Sequence, residues 1–208
     1  MRILPEIFIR FEKGGYLRNL EGKKMLKMLF VKEKILYDGS QIHSHWAYKN
    51  FNLMGDSIVA FIGPCDVKKE EMVDLEDLRK GEIIKAKEML HFICEHFGVE
   101  MREIVLLQRL LVFCVKESLE SYGWKMERKG DDLFFENKKI SISIATKTPI
   151  SGKIHLGINI EPEGAPLPAT GLKELGIEPV GFGEEVMRRY RDEFENINFA
   201  MCKVRWVP

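Results

Sequence analysis

The sequence predicts an α+β fold: a mixed, largely antiparallel sheet with helices packed on one face. Three features carry that reading, namely two alternating segments within residues 139–161, a long apolar helix at 101–121, and an amphipathic helix towards the end. A chain of 208 residues, 45% of them apolar, buries roughly 70% of its unfolded surface around one core. A single domain over 28–208 is therefore expected, with an extension over 1–27 before it.

Up to residue 34 there are nine Lys or Arg against four Glu, a net charge of +5. This reads as a terminal extension rather than a nucleic-acid arm. The whole chain balances 32 basic against 32 acidic side chains and so has no global field for nucleic acid or an anionic membrane. No apolar run approaches the roughly 18 residues of a membrane span, and the chain is expected in the cytoplasm. Self-association as a homo-oligomer is left open. Cys65, Cys94, Cys114 and Cys202 form no C-x-x-C pair and read as reduced, mostly buried thiols. A charged fraction of 31% beside only two glutamines, Gln41 and Gln108, is the bias of heat-adapted proteins.

From Met28 the chain reads as a strand turning at Asp38-Gly39, with Ser40 placed to cap a helix over Ile42 to Phe51. Ser57 to Ile62 is a short strand closed by Gly63-Pro64, and Lys68 to Lys87 reads as a solvated loop or short helix. Met101 to Ser121 is a helix whose run Ile104 to Val115 belongs in the core, and Gly123 stops it. Gly164 to Gly181 is a loop with a helical piece at Leu172 to Leu175. A helix then starts near Gly183 and places Val186, Tyr190, Phe194 and Ile197 on one face. Cys202 to Val207 alternates as a final strand.

The best-patterned region lies between. Ile140, Ile142 and Ile144 alternate with Ser141, Ser143 and Ala145, while Ile154, Leu156, Ile158 and Ile160 alternate with His155, Gly157 and Asn159. Joined across Pro149 to Gly152, these are two strands of one pair. One face is aliphatic; the other, with Ser141, Ser143, His155, Gly157 and Asn159, is a solvated face or the floor of a ligand site. Two histidines, His43 and His45, would suit zinc if joined by Cys65 or His155, or are surface groups of a turn; no metal is assigned. His91 and His96 read as semi-buried structural residues. Arg109 is either a snorkelling surface residue or a cation aimed at an anionic ligand.

Three segments in order resemble biotin protein ligases. Arg128-Lys-Gly-Asp-Asp-Leu133 is similar to their K-W-P-N-D-L, Glu136-Asn-Lys-Lys-Ile-Ser-Ile142 to their D-x-K-[LI]-x-G, and His155-Leu-Gly-Ile-Asn-Ile160 to their G-I-N strand. Ala169-Thr-Gly-Leu172 looks like their A-T-S-L segment. From Met28 onward the chain also resembles a mainly archaeal domain-of-unknown-function family grouped by fold with biotin and lipoate ligases. The resemblance implies the catalytic-domain fold of those ligases, which join a carboxylic acid to ATP as an acyl-adenylate. It makes Lys139 and Arg128 the candidate catalytic cations. Asp131, Asp132, Ser141, Ser143, His155, Gly157 and Asn159 become candidate ligand-binding residues, with Asp132 the contact for Mg²⁺ or ribose. The chain departs from the ligases at Lys129 and Gly130, and their amino-terminal Gly- and Arg-rich loop has no counterpart. Two functions follow: binding of a small ligand or adenylate, with ATP and Mg²⁺ activating an acid, or a non-catalytic binding or assembly module of the same fold.

Overall fold

The computed structural model describes residues 26–207 apart from 82 and 166; the expected extension, up to residue 25, lies outside them. Leu26 is already buried in the main core, and Lys27 opens the first strand.

Five strands form the main sheet in the order β1-β2-β3-β8-β7. These are β1 (Lys27–Val31), β2 (Ser57–Asp66), β3 (Lys85–Phe97), β7 (Ser141–Lys147) and β8 (Ser151–Glu161). Only β1 and β2 run parallel; the other neighbours are antiparallel. A second sheet of three short strands, β4 (Glu127–Lys129), β5 (Asp132–Phe135) and β6 (Lys138–Lys139), stands beside β7. Its β5–β6 turn places both Glu136 and Asn137 at positive φ, as a two-residue hairpin demands.

One face of the main sheet carries the two long helices, α3 (Met101–Ser121) and α4 (Pro179–Lys203). Leu90, Phe92 and Cys94 of β3 and Ile154, Leu156 and Ile158 of β8 meet Ile104, Leu111 and Val115 of α3 and Phe182, Val186 and Tyr190 of α4. α3 begins and ends where its apolar spacing predicts. It buries one stripe, however, rather than its whole circumference, and Leu106 and Phe113 face solvent. α4 starts four residues before Gly183 because Pro179 occupies its first turn and the Glu178 carboxylate accepts from Val180 N and Gly181 N. It also runs on to Lys203, so the tail after it is exposed coil and not a strand.

The opposite face is covered by the chain's first half. Val59, Phe61, Met89 and Ile93 of the sheet pack against Tyr37 and against Ala47 in the short helix α1 (Trp46–Phe51). Ser40 does not cap α1; its N–H and hydroxyl both donate to Asp38, which fixes a 3-10 turn over Ser40–Ile42. β2 also continues through Gly63-Pro64, where Ile35 and Tyr37 bond to the carbonyls of Ile62 and Pro64. A Cβ on Gly63 would stand 1.9 Å from the Ile35 carbonyl oxygen, so only glycine lets that segment cross.

The segment expected as a solvated loop or short helix holds α2 (Leu75–Lys80) and the start of β3, the longest strand. β3 lies at the centre of the sheet and is buried on both faces, so its sequence shows no polar side. Its buried polar members have buried partners: His91 meets His155, Glu95 meets Lys153, and His96 meets Tyr190. His91 and His96 are therefore fully buried rather than half-exposed. Cys65, Cys94 and Cys114 are buried free thiols, and Cys202 is exposed. Among the described residues no helix is long and apolar enough to cross a membrane.

Candidate functional site

A cavity of about 250 Å³ opens on the face of the sheet away from α3 and α4. Its floor is the pocket side of β3, β7 and β8, and the segments around Ile42 and 67–86 form its outer wall. Met89, Ile84, Ile142 and Ile144 make one lining apolar, whereas Tyr37, His155 and Asn159 bring polar groups to it. Asp131, Asp132 and Lys139 stand at its margin.

The register of β7 on β8 determines what this floor is. Ser143 is paired with Leu156 and Ser141 with Ile158, whereas Ile142 is paired with Gly157 and Ile144 with His155. Residues directly opposite one another in an antiparallel pair share a face. The two serines thus belong with the helix-side aliphatics, and Ile142 and Ile144 lie beside His155, Gly157 and Asn159. The expected all-polar floor is corrected accordingly: alternation within each strand is right, but the pairing between strands offsets the two patterns. The Ser143 hydroxyl donates to Asp131 and accepts from Gln108 of α3, and the Ser141 hydroxyl accepts from Leu133 N.

Asp131 is held from three directions. Arg109 lies 2.7 Å from one of its oxygens, and Gln108 and Ser143 donate to the other. Burial alone pushes this carboxyl up, but the Arg109 charge and the hydrogen bonds from Arg109 and Ser143 outweigh it and hold the group below the usual carboxylate range. Arg109 therefore serves Asp131.

Lys139 is fixed by its backbone. Its N–H donates to the Pro168 carbonyl, and its own carbonyl accepts from Thr170 N and from the Asn159 amide. The segment at 168–172 reaches so close because Gly171 has no side chain; a Cβ there would lie 2.4 Å from the Ile160 carbonyl oxygen. Phe134 pairs with Lys139, so Asp132, two residues earlier on β5, shares its face, and the two side chains form an ion pair of 2.9 Å.

At the other end His155 stacks on Tyr37 with ring centres 3.6 Å apart and meets His91 at 3.0 Å. Burial holds both imidazoles below the ordinary histidine range, His91 at about 3, so both are neutral. Gly157 lies between His155 and Asn159, where the Met89 methyl fills the space a Cβ would need.

Asp131, Asp132, Lys139, His155 and Asn159 thus stand around one cavity, with Gly157 in its floor, while Ser141 and Ser143 border it with their hydroxyls engaged by Leu133 N and by Asp131 and Gln108. Arg128 is elsewhere: it is exposed on β4 and donates to the Gly130 carbonyl. His43 pairs with Glu71, and His45 stacks on Phe97. Among the described residues no group of three or more metal-ligating side chains comes together. Tyr37, Met89 and the 67–86 wall escape sequence reasoning because nothing local ties them to the β7–β8 pair.

This architecture is the fold of the biotin and lipoate protein ligases. A biotin protein ligase from Aquifex aeolicus in complex with biotin and ATP superposes with a TM-score of 0.55 at 16% identity, covering 81% of this chain and 71% of that one. Protein Ta0514 from T. acidophilum, a candidate lipoate protein ligase with bound lipoic acid, gives 0.53 at 15%, covering 83% and 87%. The chain belongs to the family described as a domain of unknown function, DUF366, whose profile matches residues 26–205. A protein of unknown function from Pyrococcus horikoshi is 45% identical, with a TM-score of 0.86 over 88% of this chain and 100% of that one.

Proposed function

We propose that this protein binds a small carboxylic acid in the cavity above β7 and β8, with the carboxylate at Lys139, and activates it with ATP. The observation that carries this reading is the placement of Lys139. A cation, clamped through its own backbone and paired with Asp132, stands at the margin of a cavity whose lining joins apolar side chains, Ile84, Met89, Ile142 and Ile144, to polar ones. That arrangement draws in an anionic head group while the apolar part of the ligand enters behind it. Two proteins of the same fold have been solved with biotin and with lipoic acid, both carboxylic acids with apolar bodies.

The volume, about 250 Å³, falls below the roughly 300–1,000 Å³ of most small-molecule sites. It suits an acid rather than an entire acyl-adenylate, so a nucleotide would occupy the open mouth. There Asp132 is the carboxylate for Mg²⁺: both oxygens of Asp131 are engaged by Arg109, Gln108 and Ser143, whereas among the described residues Lys139 engages only Oδ2 of Asp132. The cation would supply charge neutralisation at the phosphates.

Calorimetry and thermal shift against carboxylic acids, with and without ATP and Mg²⁺, test binding. Exchange of labelled pyrophosphate into ATP tests activation, because forming the acyl-adenylate releases pyrophosphate. Binding without exchange would reassign the protein as a non-catalytic binding module. No binding of any acid would reject the reading.

A further inference from the structure

We infer that the acid carries a hydrogen-bond donor, an O–H or N–H, at the end opposite its carboxylate, and that His155 Nδ1 receives it. This rests on the acid-binding reading above and adds the chemistry of the ligand's far end.

The argument follows the protons along a buried chain. His91 Nε2 lies 3.2 Å from the Gly63 carbonyl oxygen, which can only accept, so Nε2 carries the proton. A neutral imidazole has one N–H, which leaves His91 Nδ1 as an acceptor. His155 Nε2, 3.0 Å from it, must then donate. By the same count His155 Nδ1 is bare and can only accept. The backbone carbonyl thus fixes the tautomer of the second ring through the first.

His155 Nδ1 makes no hydrogen bond among the described residues, nor is it one of the buried polar atoms sealed away without a partner. His155 itself is only 2% exposed and lines the cavity. The free acceptor therefore opens onto the cavity. A ligand that covers it with a methyl group would leave it unsatisfied, and one that offers a donor would not.

Position gives the length. His155 and Asn159 are four residues apart on β8, about 13 Å at the usual strand rise of ~3.3 Å. Asn159 donates to Lys139, so the cationic mouth is at the Asn159 end. Between them the floor is Gly157, over which lies the methyl of Met89, a flexible side chain that can yield to a ligand. The ligand is thus a slender acid of roughly that reach, apolar in its middle and donor-bearing at its tip.

The test compares matched acids by calorimetry on the intact protein: hydroxyoctanoate and hydroxydecanoate with a terminal hydroxyl, against unsubstituted acids of equal length. The hydroxy acids should bind at least about tenfold tighter, and His155→Phe, which keeps the stack on Tyr37, should abolish the preference. Nitrogen-15 NMR of the wild-type imidazoles provides a second readout that needs no variant. His155 Nδ1 should show an unprotonated shift in the free protein and move only with the hydroxy acids. Equal affinity for both acids, with Lys139→Ala weakening both, would overturn this inference and leave the acid-binding reading standing. A protonated Nδ1 in the free protein would overturn it too. Failure of every acid to bind would reject the reading on which it rests.

Discussion

Lys153 and Glu95 form an ion pair of 3.2 Å across β8 and β3 with essentially no solvent contact, their side chains being 0% and 2% exposed. Glu95 also accepts from Ser151 Oγ and from His45 N, at the entry to α1. Burial pulls the Lys153 ammonium below its ordinary range, and the Glu95 charge only partly opposes it. Removing one charge strands the other, so Lys153→Met should destabilise by about 3–5 kcal/mol. Adding Glu95→Gln, whose oxygen can still accept from Ser151 and His45, should recover a large part of that loss. Guanidinium unfolding of the single and double variants checks this, and additive losses would contradict it.

Acid sensitivity follows from the buried histidines. Burial lowers His91 and His96 to about 3, and His155 falls well below the usual value. The unfolded chain takes up protons on these residues below about pH 6.5, whereas in the folded chain His91 and His96 do not until near pH 3 and His155 is held neutral well below its usual value, so stability falls as pH falls below about 6.5. Each ring should remove roughly 2 kcal/mol between pH 7 and pH 5, a range in which ordinary carboxylates hardly titrate. The Tm should drop by about 10 °C or more. A flat profile would show that these rings are hydrated.

At the mouth, Lys139→Ala should weaken acid binding about ten- to a hundredfold, the worth of one charge-assisted contact. Arg128→Ala should leave it unchanged, because that guanidinium is directed at Gly130 O. Calorimetry of both variants at matched salt makes the comparison. Equal effects would remove Lys139 from its place in the site.

Ser143→Ala should reduce stability by about 1–3 kcal/mol without abolishing binding, since its hydroxyl joins Asp131 to Gln108 rather than facing the ligand. Loss of binding with unchanged Tm would reverse that assignment.

These residues also show what the sequence makes legible. α3 is readable to within a residue because its apolar spacing, the Gly123 stop and its length all agree. β7 and β8 are readable as strands from alternation, yet alternation within a strand says nothing about register across two. The face of Ser141 and Ser143 therefore required the pairing itself. β3 is hidden for a different reason. Burial on both sides removes the period, and its His91, Glu95 and His96 look like surface residues until their partners, up to 94 positions away, are placed. Lys139, Asp132 and Asn159 follow from motif resemblance, whereas the Tyr37–His155 stack and the Met89 contact arise only from the chain folding over the sheet.

The centrality of β3 bears on how the molecule is made. Its first neighbour, β2, has already been synthesised when β3 emerges, but its second, β8, comes only after α3 and the small sheet have been translated. Until then β3 presents an open edge, with His91 and Glu95 lacking the partners that neutralise or satisfy them. Such distant pairing slows folding, since the intervening loop must close before the contacts reward it. Completion of the sheet therefore waits for the chain beyond residue 151, and a nascent protein stopped short of it lacks the strand that closes the second edge of β3.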